Sequence, residues 1–346
     1  MDQPTDNAAR EVRRRRAEVA TLRDQVRLLT DELRTAEARL EFVREAEGLT
    51  VSNAAITPRE KRSGRREATA IAMLSDVHIG ESIEQEKVIG KNSYNLEIAR
   101  LRMTRFFEGL VWLVKANQRD FAIHDVLVGV LGDIITGYIH EELMESSLCS
   151  PTMGVVFARE VISSGLAYML RELPDVEVTL VCKHGNHGRT TAKKHINTGA
   201  ENSFEHLLYL MLAREWANEK RIRWHVTKAE HSYVEIYGDW TRWMHGDGVK
   251  YDKGIGGIMV PINRALARLD SVRRCRVTFM GHFHQLTPGR RCMVNGSVCG
   301  YNPFAMASTL EYEDPAQCFV LWDSKRGPCI TAPIWVDSDE ERKLWR

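Results

Sequence analysis

The sequence has few cysteines, no long apolar run and no excess of charge of either sign. Its seven cysteines are odd in number and scattered, which excludes the framework of a disulfide-rich domain. No apolar run approaches the ~20 residues that a membrane span needs. The polar, arginine-bearing N-terminus lacks the apolar stretch of a signal peptide. These absences predict a cytoplasmic protein with reduced cysteines and no membrane association.

The charge balance excludes one argument for function. Lys and Arg number 48 against 47 Asp and Glu, so the formal net charge is +1 over 346 residues. Nucleic-acid binding therefore cannot be argued from bulk charge. Hydrophobic residues make up 43% and charged residues 27% of the chain, which is the balance of a globular protein.

The first segment carries a heptad pattern that predicts a coiled-coil helix over residues 8–47. The a positions are Val12, Val19, Val26, Leu33 and Leu40, and the d positions include Leu22, Leu29, Ala36 and Val43. A helix with so narrow an apolar stripe must pair with another chain or dock on its own body. Branched Val at a with Leu at d favours a two-stranded parallel coil, although the flanking charges leave the direction open. We expect a homodimer formed through this helix.

Residues 48–67 are interpreted as a basic linker, and residues 68–346 as one domain. The linker has little periodicity and contains Pro58 and Gly64 among basic side chains. After it, compact apolar runs alternate with helical patterns. Such alternation predicts a layered α/β domain with two sheets facing each other and helices outside.

The apolar patterns also place individual elements along this domain. Buried strands are predicted at 68–74, 125–131, 176–182 and 276–280, with further strands within 291–298 and 317–335. Helices are predicted at 95–117, 154–172, 201–219 and near 258–269. Residues 223–245 alternate and contain Tyr237-Gly238-Asp239, which indicates a hairpin.

Five short polar segments stand out, and four of them immediately follow a predicted strand. They are LSDVH at 74–78, LGDIITG at 131–137, HGNHGR at 184–189, MHGDG at 244–248 and MGHFH at 280–284. Ligands gather outside the carboxyl ends of strands in α/β sheets, so we expect these segments to meet. Residues two apart on an extended segment project to the same side. Asp76 with His78, and His282 with His284, should therefore form two chelating pairs.

The residue types in these segments predict a dinuclear metal centre. Carboxylate with imidazole suits first-row divalent ions better than Mg²⁺ or Ca²⁺. Three Asp or Asn and four His are too many ligands for one tetrahedral site, whereas two ions sharing a carboxylate would use them all. A single histidine at a strand end is more often structural than a ligand. Five such segments in this order form a far more specific pattern.

The order Asp-x-His, Gly-Asp, Gly-Asn-His, a later His and Gly-His-x-His resembles the signature of the calcineurin-like metallophosphoesterases. The resemblance spans about residues 70–335. It implies a four-layer α/β/β/α fold, here preceded by the coiled-coil helix. It also implies two divalent metal ions, for which Mn is the first candidate and Fe, Zn or Ni are alternatives. The ligands it implies are Asp76, His78 and His284 for one ion, Asn186, His245 and His282 for the other, and Asp133 as the bridge.

The same resemblance assigns roles in phosphoester hydrolysis. A hydroxide bridging the two ions would attack phosphorus in line. His187 follows a metal ligand directly and is interpreted as the general acid that protonates the leaving oxygen. A hydrogen bond that only orients a ligand is the alternative role for His187. Arg189 and Lys183 are close enough in sequence to contact the phosphate, and Arg189 is the predicted substrate-binding residue.

Two departures from the family pattern bear on mechanism and substrate. Many members have an acid directly after Gly-Asn-His, and this carboxylate orients the catalytic imidazole, whereas this chain has Gly188 and then Arg189. Asp247 is a candidate replacement, and a turn residue between two glycines is its alternative reading. Protein Ser/Thr phosphatases carry Gly-Asp-x-x-Asp-Arg-Gly, but Thr136 stands at the fifth place here with no Arg after it. A protein phosphatase is therefore disfavoured.

The last motif, with two histidines, is more similar to the exonuclease and phosphodiesterase branches. Local basic stretches at 59–66, 273–276 and 290–291 agree with a phosphodiesterase that acts on DNA or RNA. One alternative is a hydrolase of small phosphoesters such as nucleotides or cyclic nucleotides. Another is a coiled-coil scaffold with an inactive centre, which the seven filled ligand positions argue against.

Overall fold

The structure, a computed structural model, describes residues 15, 19, 21–30, 33–34, 54–58, 65–139, 141–250 and 257–338. The chain divides into two compact units, Met1–Gly48 and Leu49–Arg346.

In the first unit, residues 21–30 and 33–34 are helical. Five heptad side chains are between 47% and 63% exposed, namely Val19, Leu22, Val26, Leu29 and Leu33. The rest of the predicted coiled coil over residues 8–47 lies outside the described residues. Pairing of this helix with a second copy stays a prediction.

The described part of the second unit contains two mixed β-sheets of six strands each. Sheet 1 has the order β1 (Ala54–Ile56), β6 (Ser232–Ile236), β7 (Asp239–Met244), β8 (Val277–Met280), β10 (Cys292–Val294) and β9 (Thr287–Pro288). Sheet 2 has the order β12 (Gly327–Trp335), β11 (Ala316–Asp323), β2 (Arg66–Leu74), β3 (Phe121–Val130), β4 (Glu177–Cys182) and β5 (Ile222–Val226). Strand β1 lies within the segment predicted as a linker, and residues 48–53 and 59–64 of that segment lie outside the described residues.

The described part of the second unit contains six helices. They are α1 (Leu96–Asn117), α2 (Glu141–Ser146), α3 (Pro151–Glu172), α4 (Phe204–Glu215), α5 (Met259–Leu269) and α6 (Pro303–Ala307), with a 3₁₀ turn at Gln85–Val88. Three of the long helices begin at side chains that accept a hydrogen bond from the first turn, namely Asn95, Ser150 and Ser203. Helices α1, α3 and α4 pack on one another along sheet 2, while α5 buries Ile262 and Leu266 against sheet 1.

The main core lies between the two sheets. Ile71 and Met73 of β2 are fully buried in the same cluster as Trp243 and Phe279 of sheet 1. The rings of Trp243 and Phe279 stack with centroids 4.2 Å apart. Strand β2 is buried on both faces, which explains its continuous apolar run. The architecture is therefore helix, sheet, sheet, helix, as the alternating pattern predicts.

Helix α3 is long and apolar enough to cross a membrane by length and composition, and 44% of its most apolar window is buried inside the protein. It packs in the helical layer, where a Cβ on Gly165 would lie 2.1 Å from the ring of Phe107. Helices in protein cores can have the same length and composition, so these two properties of α3 are weak evidence for a membrane span. The expected cytoplasmic location stays a prediction.

The segment 223–245 is divided between the two sheets and is not one hairpin. Strand β5 belongs to sheet 2, whereas β6 and β7 form the hairpin in sheet 1. Its two turn residues, Tyr237 and Gly238, have φ of 51° and 88°. Positive φ at both central positions is the geometry of a type I′ turn, which suits the twist of paired strands.

Candidate metal centre

All five polar segments follow a strand and converge where the two sheets meet. Three extend from β2, β3 and β4, which run parallel in sheet 2, and two extend from β7 and β8, which run parallel in sheet 1. Backbone hydrogen bonds join the loops. The N–H of His78 donates to the carbonyl of Asp133 at 3.0 Å, and the N–H of Gly281 donates to that of His245 at 2.8 Å. The centre is thus built on strand ends from both sheets.

The backbone at five of the seven predicted ligands is left-handed. Asp76, His78, Asp133, His282 and His284 have φ between 50° and 72°. This conformation costs a non-glycine residue on the order of 1 kcal/mol, and such residues cluster at functional sites. The expectation that an extended backbone aligns each chelating pair is therefore wrong. Local turns direct these side chains, because the strands have already ended.

Two glycines allow the loops to approach so closely. A Cβ on Gly132, whose φ is +87°, would lie 2.3 Å from the backbone nitrogen of Gly185. A Cβ on Gly281 would lie 2.6 Å from the carboxylate of Asp76. Any side chain at either position would push apart the loops that carry the candidate ligands.

One group of donors surrounds His78 and His284. Their Nε2 atoms are 3.2 Å apart, and Nε2 of His284 lies 3.3 Å from Oδ1 of Asp76. The Cys299 thiol joins this group, since its sulfur and a ring nitrogen of each histidine all lie within 4.8 Å of one another. These three residues could hold a metal ion.

A second group surrounds His245. Its Nε2 lies 3.0 Å from Oδ2 of Asp133 and 3.1 Å from Oδ1 of Asn186. His282 also belongs here, because Asp133, His245 and His282 offer ligand atoms that all lie within 4.8 Å of one another. The N–H of His282 donates to Asp76 at 3.0 Å, so the two groups are adjacent.

Asp133 belongs to both sides of the centre. Its carboxylate also lies within 4.8 Å of ring nitrogens of His78 and His187. The structure thus brings all seven predicted ligands and His187 into one site. Several groups there could hold metal ions, while the identity and number of the ions stay predictions.

The electrostatics of this site demand positive charge. Burial acts to raise the pKa of Asp133, but the imidazoles of His245 and His187 hold that pKa well below its usual range. Conversely, burial opposes the charged form of His245, yet the Asp133 carboxylate raises the pKa of His245 to about 10. Buried carboxylates at this point need a cation beside them, whether a proton on imidazole or a metal ion.

A backbone carbonyl orients His187. Its Nδ1 donates to the carbonyl oxygen of Thr136 at 2.8 Å, and its backbone N–H donates to Oδ1 of Asp133 at 2.8 Å. The acid considered for this role, Asp247, instead pairs with Lys194 at 2.7 Å. With Nδ1 occupied, Nε2 is the ring atom of His187 that remains for a substrate.

The two cationic side chains proposed from sequence have other contacts. Arg189 donates to backbone carbonyls of its own loop, including that of Asn186 at 2.9 Å, so its substrate role stays a prediction. Lys183 is 1% exposed, and its ammonium donates to the carbonyl of Ala229 and to Oγ1 of Thr227. Lys183 points into the protein, which contradicts the expected phosphate contact.

Sequence reasoning missed the polar residues behind the ligands. Glu205 accepts hydrogen bonds from the loops that carry Asp133 and Asn186. Ser75 donates to Asp76, and Asn295 in turn donates to Oγ of Ser75 at 2.9 Å. No motif marks these positions, although the Ser203 helix start places Glu205 in the first turn of α4. Cys299 also lies outside the five polar segments.

No protein-family model and no curated protein matches this chain. Among solved structures it is similar to the hypothetical protein PH1004 from Pyrococcus horikoshii OT3, with 11% identity and a TM-score of 0.37 over 80% of this chain and 91% of that one. It is also similar to Vps29 from Chaetomium thermophilum, with 10% identity and a TM-score of 0.26 over 77% of this chain and 94% of that one. Likenesses this distant do not indicate a function.

Proposed function

We propose that this protein is a phosphoester hydrolase of the calcineurin-like metallophosphoesterase type that uses two divalent cations. The observation that carries the proposal is the place of Asp133. Its carboxylate lies within 4.8 Å of a ring nitrogen of His78 on one side and of ring nitrogens of His245 and His282 on the other. A carboxylate between two sets of imidazoles is the arrangement that a bridged pair of first-row ions requires.

The donor atoms fit such ions. Because Nδ1 of His245 donates to the carbonyl of Leu131 at 2.7 Å, its Nε2 carries the lone pair in the neutral ring. That lone pair faces oxygens of Asp133 and Asn186, and the three atoms repel unless a proton or a metal ion lies among them. We assign Asp76, His78 and His284 to one ion, Asn186, His245 and His282 to the other, and Asp133 to both.

Cations held there would supply Lewis acidity, which lowers the pKa of water and offsets charge on the phosphoryl oxygens. The side chains of the protein orient the reacting groups and supply one proton. Thr136 fixes the tautomer of His187, so the imidazolium presents its second N–H from Nε2. From there His187 protonates the oxygen of the leaving group.

Cys299 bears on which metals bind. Its thiol lies beside His78 and His284, whereas the other group offers oxygens of Asp133 and Asn186. Sulfur with imidazole favours Zn²⁺ or Fe²⁺, while oxygen with imidazole also suits Mn²⁺. We therefore propose a mixed preference, with the softer ion on the Cys299 side.

The substrate that we propose is a phosphodiester of DNA or RNA. The support is the two-histidine last motif together with the basic stretches of the chain at 273–276 and 290–291. A small phosphoester such as a cyclic nucleotide is the alternative, and hydrolysis of a cyclic nucleotide with no hydrolysis of DNA or RNA would favour it.

Metal-depleted protein, replenished with Mn²⁺ or Zn²⁺, should hydrolyse a chromogenic diester and single-stranded DNA, duplex DNA or RNA. Asp133→Ala should lose bound metal by elemental analysis and lose activity with it. Asp175→Ala, which removes an exposed carboxylate, is the matched control. Full metal content in Asp133→Ala would refute the bridging role. If metal-loaded wild-type protein hydrolyses none of these esters, the proposed hydrolase activity is refuted.

A further inference from the structure

A cavity of about 890 Å³ lies away from the metal centre and is lined by arginines from two segments of the chain. Its walls come from the β6–β7 turn, the segment before β8, the turn before β10 and strand β12. Four arginines, Arg274, Arg276, Arg290 and Arg291, and one aspartate, Asp239, line it. The lining therefore carries a formal charge of +3 in a chain whose formal net charge is only +1.

The cavity and the metal ligands lie at opposite ends of the same strands. Strand β7 starts at Asp239 in the cavity wall and ends just before His245. Strand β8 starts just after Arg276 and ends just before the loop of His282. At about 3.3 Å per residue the two places are roughly 15–20 Å apart. The cavity is thus a separate site.

Two of the four arginines are free to bind a ligand. Arg276 pairs with Asp239, and Arg291 pairs with Asp270. Arg274 and Arg290 are exposed, and neither has a hydrogen bond or ion pair to any residue that the structure describes. Like charges held together without counter-charge are unfavourable, so an anion bound here stabilises the arrangement.

An aromatic side chain completes the wall. Trp240 lines the cavity, and the guanidinium of Arg273 lies over its ring, 4.1 Å from the centroid. The paired N–H groups of a guanidinium match the spacing of phosphate oxygens. Aromatic rings among basic side chains are typical of grooves that bind single-stranded nucleic acid. A volume of about 890 Å³ is far larger than one inorganic anion needs.

We propose that this cavity binds the phosphate backbone of a single-stranded nucleic acid, at a distance from the metal centre. The inference rests on the proposed function, because it places a second contact for the substrate of that enzyme. A bound strand has to follow the protein surface, which is longer than this straight-line distance through sheet 1, so only a strand of many nucleotides can reach both places. Long strands would then bind through both places, whereas a dinucleotide would use the metal centre alone.

The test is direct binding of a fluorescent strand of about twenty nucleotides to full-length, metal-depleted protein. The cavity variant is Arg274→Gln with Arg290→Gln. The control is Arg119→Gln with Arg264→Gln, which removes two exposed arginines outside the cavity wall. We expect Kd to rise about tenfold in the cavity variant, and the slope of log K against log salt to fall by about 1.4. The control should bind as the wild type does.

The proposal is overturned if wild-type protein does not bind the strand, if the cavity variant binds as tightly as wild type, or if the control weakens binding equally. Hydrolysis of a small chromogenic diester by metal-loaded protein is measured in parallel and should be equal in all three proteins. If wild type does not hydrolyse the diester, the proposed hydrolase activity is wrong. The binding measurement then still tests whether the cavity binds nucleic acid.

Discussion

The carboxylate of Glu205 accepts a hydrogen bond from the backbone N–H of Gly185 at 2.7 Å. Its other oxygen accepts from the N–H of Ile134 at 2.5 Å and from that of Ile135 at 3.3 Å. Gly185 directly precedes Asn186, and Ile134 directly follows Asp133. One buried side chain from helix α4 therefore fixes the relative position of two loops that carry candidate ligands.

Replacement of Glu205 should make the positions of the loops that carry Asp133 and Asn186 less well defined. Glu205→Ala leaves buried N–H groups without an acceptor, so we expect a loss of about 2–4 kcal/mol in the free energy of unfolding and weaker metal binding. Glu205→Gln keeps one acceptor oxygen, so its free energy of unfolding and its metal affinity should lie between those of wild type and Glu205→Ala. Urea unfolding and metal titration measure the two effects. Glu201→Ala, at an exposed carboxylate, is the control, and equal stability of both alanine variants would contradict the anchoring role.

His187→Ala should retain metal and lose turnover on substrates with poor leaving groups. The imidazole supplies a proton to the leaving oxygen, and such help is worth about 10²–10⁴-fold in rate. An activated chromogenic ester needs no proton and should be affected much less. Steady-state rates on a dinucleotide and on the chromogenic ester make the comparison, with His124→Ala in strand β3 as control. Equal rates of His187→Ala and wild type on the dinucleotide would exclude the acid role.

Lys183 should make stability depend on pH. Burial lowers the pKa of Lys183 to about 8 from its ordinary 10.5. Between these values the unfolded chain binds more protons than the folded one, so this contribution to stability rises with pH, by about 3 kcal/mol in all. Lys183→Met should remove that rise. Urea unfolding at pH values below about 8 and near 10.5 measures it, with exposed Lys193→Met as control. A difference between wild type and Lys183→Met that stays constant with pH would contradict the prediction.

Cys299→Ser should change the choice of metal. Loss of the sulfur donor should reduce the preference for Zn²⁺ over Mn²⁺ on the order of tenfold. In Co²⁺-loaded wild type, thiolate coordination gives a sulfur-to-metal charge-transfer band that the variant should lack. Cys318→Ser, at a buried cysteine of β11, is the control and should keep the band. Identical spectra of Cys299→Ser and wild type would show that Cys299 only packs.

Local patterns predicted much of the fold. The strands expected at 68–74 and 176–182 and the helix at 95–117 agree closely with β2, β4 and α1. These elements have strong local signals, because their apolar residues face a core on one or both sides. The hairpin predicted at Tyr237-Gly238-Asp239 is confirmed by β6 and β7. Strand β5, from the same alternating stretch, joins the other sheet, because alternation marks a half-buried strand without telling which sheet it joins.

The sequence by itself determined which side chains can meet. The residue types and order of the five polar segments predicted that these segments meet, because residues that follow parallel strands lie at one edge of the sheet. The seven candidate ligands and His187 then came from the family resemblance that these segments carry. Tertiary structure alone decided what surrounds them: the Thr136 carbonyl at His187, Glu205 beneath two loops, Lys183 turned inward, and the arginines gathered at the far end. These contacts join residues that are far apart in the chain. Local periodicity reports which face of an element is buried, and it carries no information about which distant atom will lie against that face.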